Sequence, residues 1–319
     1  MQAVILAAGR GNRLGRLTRS KSKAMQPILG IPMFQRVLES LLPHGVHDFI
    51  IVVDPDDQDI LAYCQKHIRW RFNLQLATQA KQLGTAHALA QARPFIRDKF
   101  ILAACDNLIP SEDLARFFAL WSLDSPLDGL LALQEVPTER IPHGAVVELH
   151  GTRVARIIEK PTIEAAPSNI ASLPLYGFGE QILPYLDHLS LSTRGEYEIQ
   201  EAIQKLIDAQ GDIQGILVSS RLTLSKPSDL LEINRYFLRN TSPPVNEIRA
   251  ESIGSDTFFI PPVFVEAGTS FGAGCRIGPE AYIEGGCEIG AGCHIARAVL
   301  LRGLNIPPNC VIEENLLYL

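Results

Sequence analysis

The chain has 319 residues, with 35 Asp and Glu against 29 Lys and Arg for a net charge of −6. That length permits one large domain or two smaller ones, and an apolar fraction of 46% supplies a substantial core. The acidic balance argues against nucleic acid as a partner; no apolar run approaches the roughly 18 residues of a membrane span, and no leader precedes the first strand, so a cytoplasmic protein is expected.

Ala3–Ala8 reads as a buried strand that runs straight into a glycine-rich, cationic loop, AVILAAGRGNRLGRLTRSKSK. The first acidic residue of the chain is Glu39; Arg10, Arg13, Arg16, Arg19, Lys21, Lys23 and Arg36 all precede it. Glycines let backbone N–H groups approach an anion and the cations neutralise it, so the loop suits a small polyphosphate ligand. A helical stripe follows (Phe34, Val37, Leu38, Leu41, Leu42), then a strand over Phe49–Val53, helical segments near Asp57–His67 and Thr85–Ala92, and a strand over Phe100–Ala104 leading to Asp106. This alternation predicts an α/β domain: a Rossmann-like, mixed but mostly parallel sheet with helices on both faces, whose ligands bind at the carboxyl ends of the strands. From Gly129 to Lys160 the pattern is strand-rich and extends the sheet, and helices resume near Glu198–Ala209 and Pro227–Leu238.

Beyond a polar connection at Asn240–Glu247 the chain changes character. Val265, Phe271, Ile277, Ile283, Ile289, Ile295 and Leu301 recur every six residues, with thin residues four positions on at Thr269, Cys275, Ala281, Cys287 and Cys293. A period of six is neither helix nor alternating strand; it is that of a hexapeptide β-helix, whose large residues fill a narrow prism. Seven positions amount to little more than two coils. The six cysteines include no CxxC pair, and three fall in the repeat register, so packing explains them better than zinc or disulfides. The expected organisation is a nucleotide-binding domain over residues 1–240, then linker and β-helix over 241–319.

The loop lacks the third glycine of a dinucleotide fingerprint, since position 14 is Leu14, and no Walker A motif occurs. LAAGRGNRL followed by Lys23 in SKAMQPI resembles instead the sugar-1-phosphate nucleotidylyltransferase family, in particular its glucose-1-phosphate thymidylyl- and uridylyltransferase-like members. The hexapeptide tail is similar to that family's left-handed β-helix extensions. The resemblance implies an NTP, with UTP or dTTP favoured, joined to a sugar-1-phosphate to give an NDP-sugar and pyrophosphate, with Mg²⁺ as cofactor. It implies that Leu6, Ala8, Gly9 and Gly11 shape the nucleotide loop, and that Arg13 and Lys23 carry the reacting phosphates. Gln79, Gly84 and Thr85 would hold the base, Asp106 the metal, and Gly144, Glu159, Lys160 and Asn169 the sugar phosphate. The attacking phosphate is already ionised, so no general base is required.

Several positions depart from the family pattern. Cys105 stands where glycine is usual, Pro174 precedes the tyrosine strand, and Thr223 occupies the position of a second metal carboxylate, although a neutral hydroxyl is a poor ligand for a hard cation. Three explanations are open: Mg²⁺ held by Asp106, phosphates and water; an unusual phosphorylated acceptor, including one used by a cytidylyltransferase; or a nucleotide-binding regulatory subunit without turnover. Acyl transfer at the repeat domain would need a basic histidine, and His294 is the only one in the tail. Assembly into a homo-oligomer fits the tail better, because a short β-helix has open ends.

Overall fold

The first third of the chain has four strands, β1 (Gln2–Leu6), β2 (Asp48–Val53), β3 (Asn73–Thr78) and β4 (Phe100–Ala104); apolar runs bury β1, β2 and β4 on both faces, while β3 is partly exposed at the sheet edge. In the computed structural model, which describes residues 1–19, 21–68, 71–241 and 243–319, these pair in parallel in the order β3-β2-β1-β4. Five further strands complete the sheet: β5 (Gly129–Glu135), β6 (Ala145–His150), β7 (Arg153–Glu159), β8 (Ile170–Phe178) and β9 (Ile213–Leu217). β8 runs antiparallel between β4 and β5, β9 lies parallel to β5, and the β6–β7 pair closes the far edge, so the sheet is mixed, as its sequence pattern predicts.

The helices are α1 (Met33–Leu41), α2 (Gln58–Tyr63), α3 (Thr85–Ala92), α4 (Ser111–Leu120), α5 (Ile199–Asp208) and α6 (Pro227–Arg239). The helical stretch predicted to reach His67 stays regular only to Tyr63 and widens into a π turn over Cys64–Ile68. Alternation along the strands assigns the helices to faces. Val4, Ile50, Leu102, Tyr176 and Phe178 share one core cluster with Leu89 of α3 and with Ile203 of α5. Gly177, between two of those residues, must point the other way, and a Cβ there would come within 2.4 Å of the Trp121 ring that follows α4. Each such buried aliphatic or aromatic side chain contributes roughly 1.5–3 kcal/mol.

Two compact units result, and they do not follow chain order. Met1–Gly9 and Val37–Arg221 form the first, which holds the nine-stranded sheet; Arg10–Arg36 and Leu222–Leu319 form the second. In the second unit a tight hairpin joins Pro27–Ile28 to Ile31–Pro32 through Leu29 and Gly30, both at positive φ (48° and 76°). Asn234 of α6, with no solvent exposure, holds that turn: its Oδ1 accepts the Leu29 N–H at 2.9 Å and its Nδ2 donates to Pro27 O at 3.1 Å.

The tail is a three-sided parallel β-helix whose faces are sheets of five, four and four short strands, from Asn246 to Leu317. It is thus longer than the repeat count suggests, because its first and last coils break the strict period. Val265, Phe271, Ile277, Ile283, Ile289 and Ile295 all face the core, as do Thr269, Cys275, Ala281, Cys287 and Cys293. Leu301 does not hold the register: Leu300 pairs with Ile283 and joins the core, followed by Ile306 and Ile312. One coil is a residue shorter, so a strict six-residue count runs one position past the inward-facing side chain.

Candidate functional site

In the first unit the carboxyl ends of four parallel strands lie side by side. Ala7 N–H donates to Val52 O at 2.8 Å, Gln79 N–H to Val53 O at 2.9 Å and Cys105 N–H to Leu6 O at 3.1 Å. Ala8, Asp54, Gln79 and Asp106 therefore emerge at one edge of the sheet, all of them buried.

Gln79 is 4% exposed and its amide nitrogen is fully used: it donates to Gly84 O at 3.0 Å and lies 2.9 Å from His87 Nδ1. Burial lowers the His87 pKa, which favours the neutral ring that accepts this bond. The polar atom left to Gln79 is its carbonyl oxygen. Gly84 has φ +101°, and a Cβ there would lie 2.5 Å from Tyr197 O, so only glycine fits. Thr85 Oγ1 accepts the Ile199 N–H at 3.1 Å, and Ala86 N–H donates to Tyr197 O at 3.0 Å. The residues expected to hold a base thus form one rigid corner at the start of α3, together with His87 and Tyr197, which sequence reasoning did not single out.

Asp106 Oδ1 accepts from Asn107 Nδ2 at 2.8 Å, and Asn107 Oδ1 faces Arg221 Nη1 at 3.4 Å. Further along the sheet, Lys160 N–H donates to Gly144 O at 3.1 Å, with Lys160 in the left-handed region at φ 45°. Lys160 Nζ lies 3.6 Å from Glu159 Oε1. Arg194, also missed by sequence reasoning, sets one nitrogen against three carboxylates: Glu159 at 3.2 Å, Glu196 at 3.4 Å and Glu198 in a short contact. One guanidinium cannot offset three acids. Burial first, then the Glu198 charge, pushes the Glu159 carboxyl up to about 7. Asn169 is exposed, and its carbonyl accepts the Val136 N–H at 2.9 Å.

In the second unit the loop turns through Gly11 and Gly15 (φ 68° and 58°) into tight turns over Asn12–Thr18. A Cβ on Gly11 would lie 2.9 Å from Lys23 Cβ, so glycine lets the two ends of the loop meet. Leu14 and Leu17 are buried and anchor it, while Arg10, Arg13, Arg16 and Arg19 are exposed. Buried Gln26 ties the loop from beneath, donating to Lys21 O at 3.0 Å and Leu17 O at 3.1 Å. Lys21 Nζ meets Glu284 Oε1 of the β-helix at 2.5 Å.

Thr223 Oγ1 lies 3.4 Å from Ser225 Oγ, and the carboxylate nearby, Asp229, is engaged by the Ser225 and Lys226 N–H groups at 2.7 and 2.8 Å. Among the described residues, no group of three or more His, Cys, Asp or Glu side chains is placed to hold a metal. The donor set at Asp106 is one carboxylate, which suits a cation that brings its other oxygens with it. No helix among the described residues is long and apolar enough to cross a membrane.

A Rossmann-like sheet with a glycine-rich cationic loop after its first strand defines the class, and residues 2–234 match the Nucleotidyl transferase family. The chain belongs to that family. Residues 259–317 match the GMPPB C-terminal domain. The chain is 32% identical over 240 residues to the bifunctional protein GlmU of Methanococcus maripaludis (strain C5), covering 75% of this chain and 54% of that protein. It therefore spans about half the length of the GlmU relatives it matches. It is 30% identical over 246 residues to the UTP–glucose-1-phosphate uridylyltransferase AglF of Haloferax volcanii, covering 76% of this chain and 98% of that protein. A UDP-glucose pyrophosphorylase structure complexed with UDP-glucose shares the fold at TM-score 0.67 and 20% identity, covering 75% of this chain and 99% of that one.

Proposed function

We propose that this protein transfers a nucleotidyl group from UTP or dTTP to a sugar-1-phosphate, releasing pyrophosphate. The observation that carries the reading is the loop: a buried strand delivers Gly11, Gly15 and four exposed arginines into a turn anchored by Leu14 and Leu17. Membership of the nucleotidyl transferase family and the likeness to AglF support it. An oxygen of the sugar phosphate forms a bond to the α-phosphorus as the α–β bridging bond breaks, and the leaving oxygen departs as pyrophosphate. Two anions must meet, so cations govern the rate. Arg13 serves the triphosphate and Lys23 the attacking phosphate; Leu6, Ala8, Gly9 and Gly11 shape the loop; Gly144, Glu159, Lys160 and Asn169 serve the sugar phosphate. Mg²⁺ carried by the nucleotide would be held by Asp106 and would offset phosphate charge, with Thr223 contributing no charge.

Gln79 favours uracil or thymine. With both its N–H groups engaged inside the protein, its free carbonyl accepts the N3–H that those bases carry and cytosine lacks. The β-helix would serve self-association, since Phe258 and Val311, on its terminal strands, are 66% and 71% exposed; a sizing run tests this. The defining experiment is pyrophosphate release with Mg²⁺, each NTP and dTTP, and a panel of sugar-1-phosphates. Release requiring one pyrimidine nucleotide and one sugar establishes the activity. No release, with a nucleotide still raising the unfolding temperature, would support a nucleotide-binding subunit instead, a reading favoured by the neutral Thr223.

A further inference from the structure

We infer that Arg221 is a phosphate-binding residue that takes a phosphoryl oxygen of the substrate; this rests on the transferase reading above. Arg221 follows β9 and is half-buried, yet among the described residues its guanidinium makes a single, long hydrogen bond, to Asn107 Oδ1 at 3.4 Å. Among the described residues, no carboxylate lies within 4.0 Å of it. A guanidinium has five N–H donors, and a charge taken out of water without an ion pair is costly. The environment deepens the deficit: desolvation is the largest influence on Arg221, Asp106 attracts it from beyond ion-pair distance, and Arg140 is near enough to repel it.

A half-buried guanidinium that no carboxylate among the described residues closes within 4.0 Å keeps donors for an anion. Its position supplies the ligand class. Asn107, the residue Arg221 touches, follows Asp106 directly and lies just past the carboxyl end of β4, where ligands of open α/β sheets bind. Arg140 lies in the turn over Thr138–His143, ahead of Gly144. A planar guanidinium offers two parallel N–H bonds to a phosphate, and such a bond would engage the donors that the fold leaves unused. The phosphate comes either from the sugar phosphate or from the nucleotide, and the two are separable by experiment.

The test uses the full chain and its Arg221→Gln and Arg221→Lys variants, titrated calorimetrically with glucose 1-phosphate alone, UTP alone and pyrophosphate alone. Without ligand, Arg221→Gln should unfold at the same temperature as the parent or higher, because it removes an unpaired charge. It should bind at least one of the three at least tenfold more weakly, and Arg221→Lys should recover part of that loss. Weakening confined to glucose 1-phosphate assigns the acceptor; weakening of UTP and pyrophosphate assigns the nucleotide. Parent-like affinity for all three in Arg221→Gln overturns the proposal, as does a Lys variant no better than Gln. Arg221-dependent phosphate binding in a chain that releases no pyrophosphate would overturn the transferase reading and leave the Arg221 phosphate contact standing.

Discussion

Lys21 of the basic loop and Glu284 of the β-helix, 263 residues apart, meet at 2.5 Å, and Glu284 is only 3% exposed. Glu284 also accepts the Arg302 N–H at 3.0 Å and its Nε at 3.3 Å. Beside it, Tyr282 OH donates to Glu266 Oε1 at 2.6 Å and accepts the Gly30 N–H at 3.1 Å. The tail thus grips the segment that carries the basic loop, which gives it a role in the loop's shape.

Because Glu284 serves two cations from a buried position, Glu284→Ala should cost about 3 kcal/mol of stability. Lys21→Ala, which deletes a half-exposed ammonium but leaves Glu284 its Arg302 contacts, should cost about 1 kcal/mol. Urea titration of both variants and the double variant measures the coupling; strictly additive losses would show that the contact does not act as a pair.

Gly84 tests the corner proposed to hold the base. Gly84→Ala places a Cβ 2.5 Å from Tyr197 O at φ +101°. The expected loss is about 3 kcal/mol, with weaker nucleotide binding as the Gln79–Gly84 contact shifts. An unchanged urea midpoint would mean that the Tyr197 segment gives way at no cost.

Arg13 makes the opposite case, since it is exposed and stability should not depend on it. Arg13→Ala should keep the parent unfolding temperature and lower kcat/KM about a hundredfold or more, as loss of a cation aimed at developing charge does. Parent-like turnover in that variant would remove Arg13 from the phosphate site.

Glu159 predicts a pH signature. Its carboxyl titrates near 7 in the fold against 4.5 ordinarily, so the folded chain binds the extra proton between those values. The native state is then favoured by this group below pH 4.5 and loses that advantage as pH rises through about 7. Glu159→Gln should therefore be the more stable protein above pH 7, the gap closing toward pH 4.5. Unfolding temperatures across that range decide it; parallel curves would place the charge cost elsewhere among Glu196 and Glu198.

Local pattern alone located much of this molecule. The strand Phe100–Ala104 and the helix Thr85–Ala92 follow from unbroken apolar runs and from helical spacing, and the structure has both at those limits. The six-residue period marked a prism because no other regular structure repeats at six. The loop was legible because glycines and cations cluster in one short stretch. The register slip at Leu300 was not, because Val299, Leu300 and Leu301 are equally apolar and only the length of the coil selects the inward residue.

What tertiary structure alone decided are the contacts between distant residues. Asn234, Gln26 and Glu284 read as ordinary polar residues of a helix, a loop and a turn, and each acquires its role only when folding buries it against unpaired backbone groups or a cation. Arg194 and Arg221 are two among 29 cations until the fold surrounds one with three acids and, among the described residues, leaves the other with none within ion-pair distance. Sequence determines periodicity and local chemistry, because those depend on neighbours along the chain. Burial and electrostatic balance depend on neighbours in space, and here they assemble a loop and a tail that lie at opposite ends of the sequence.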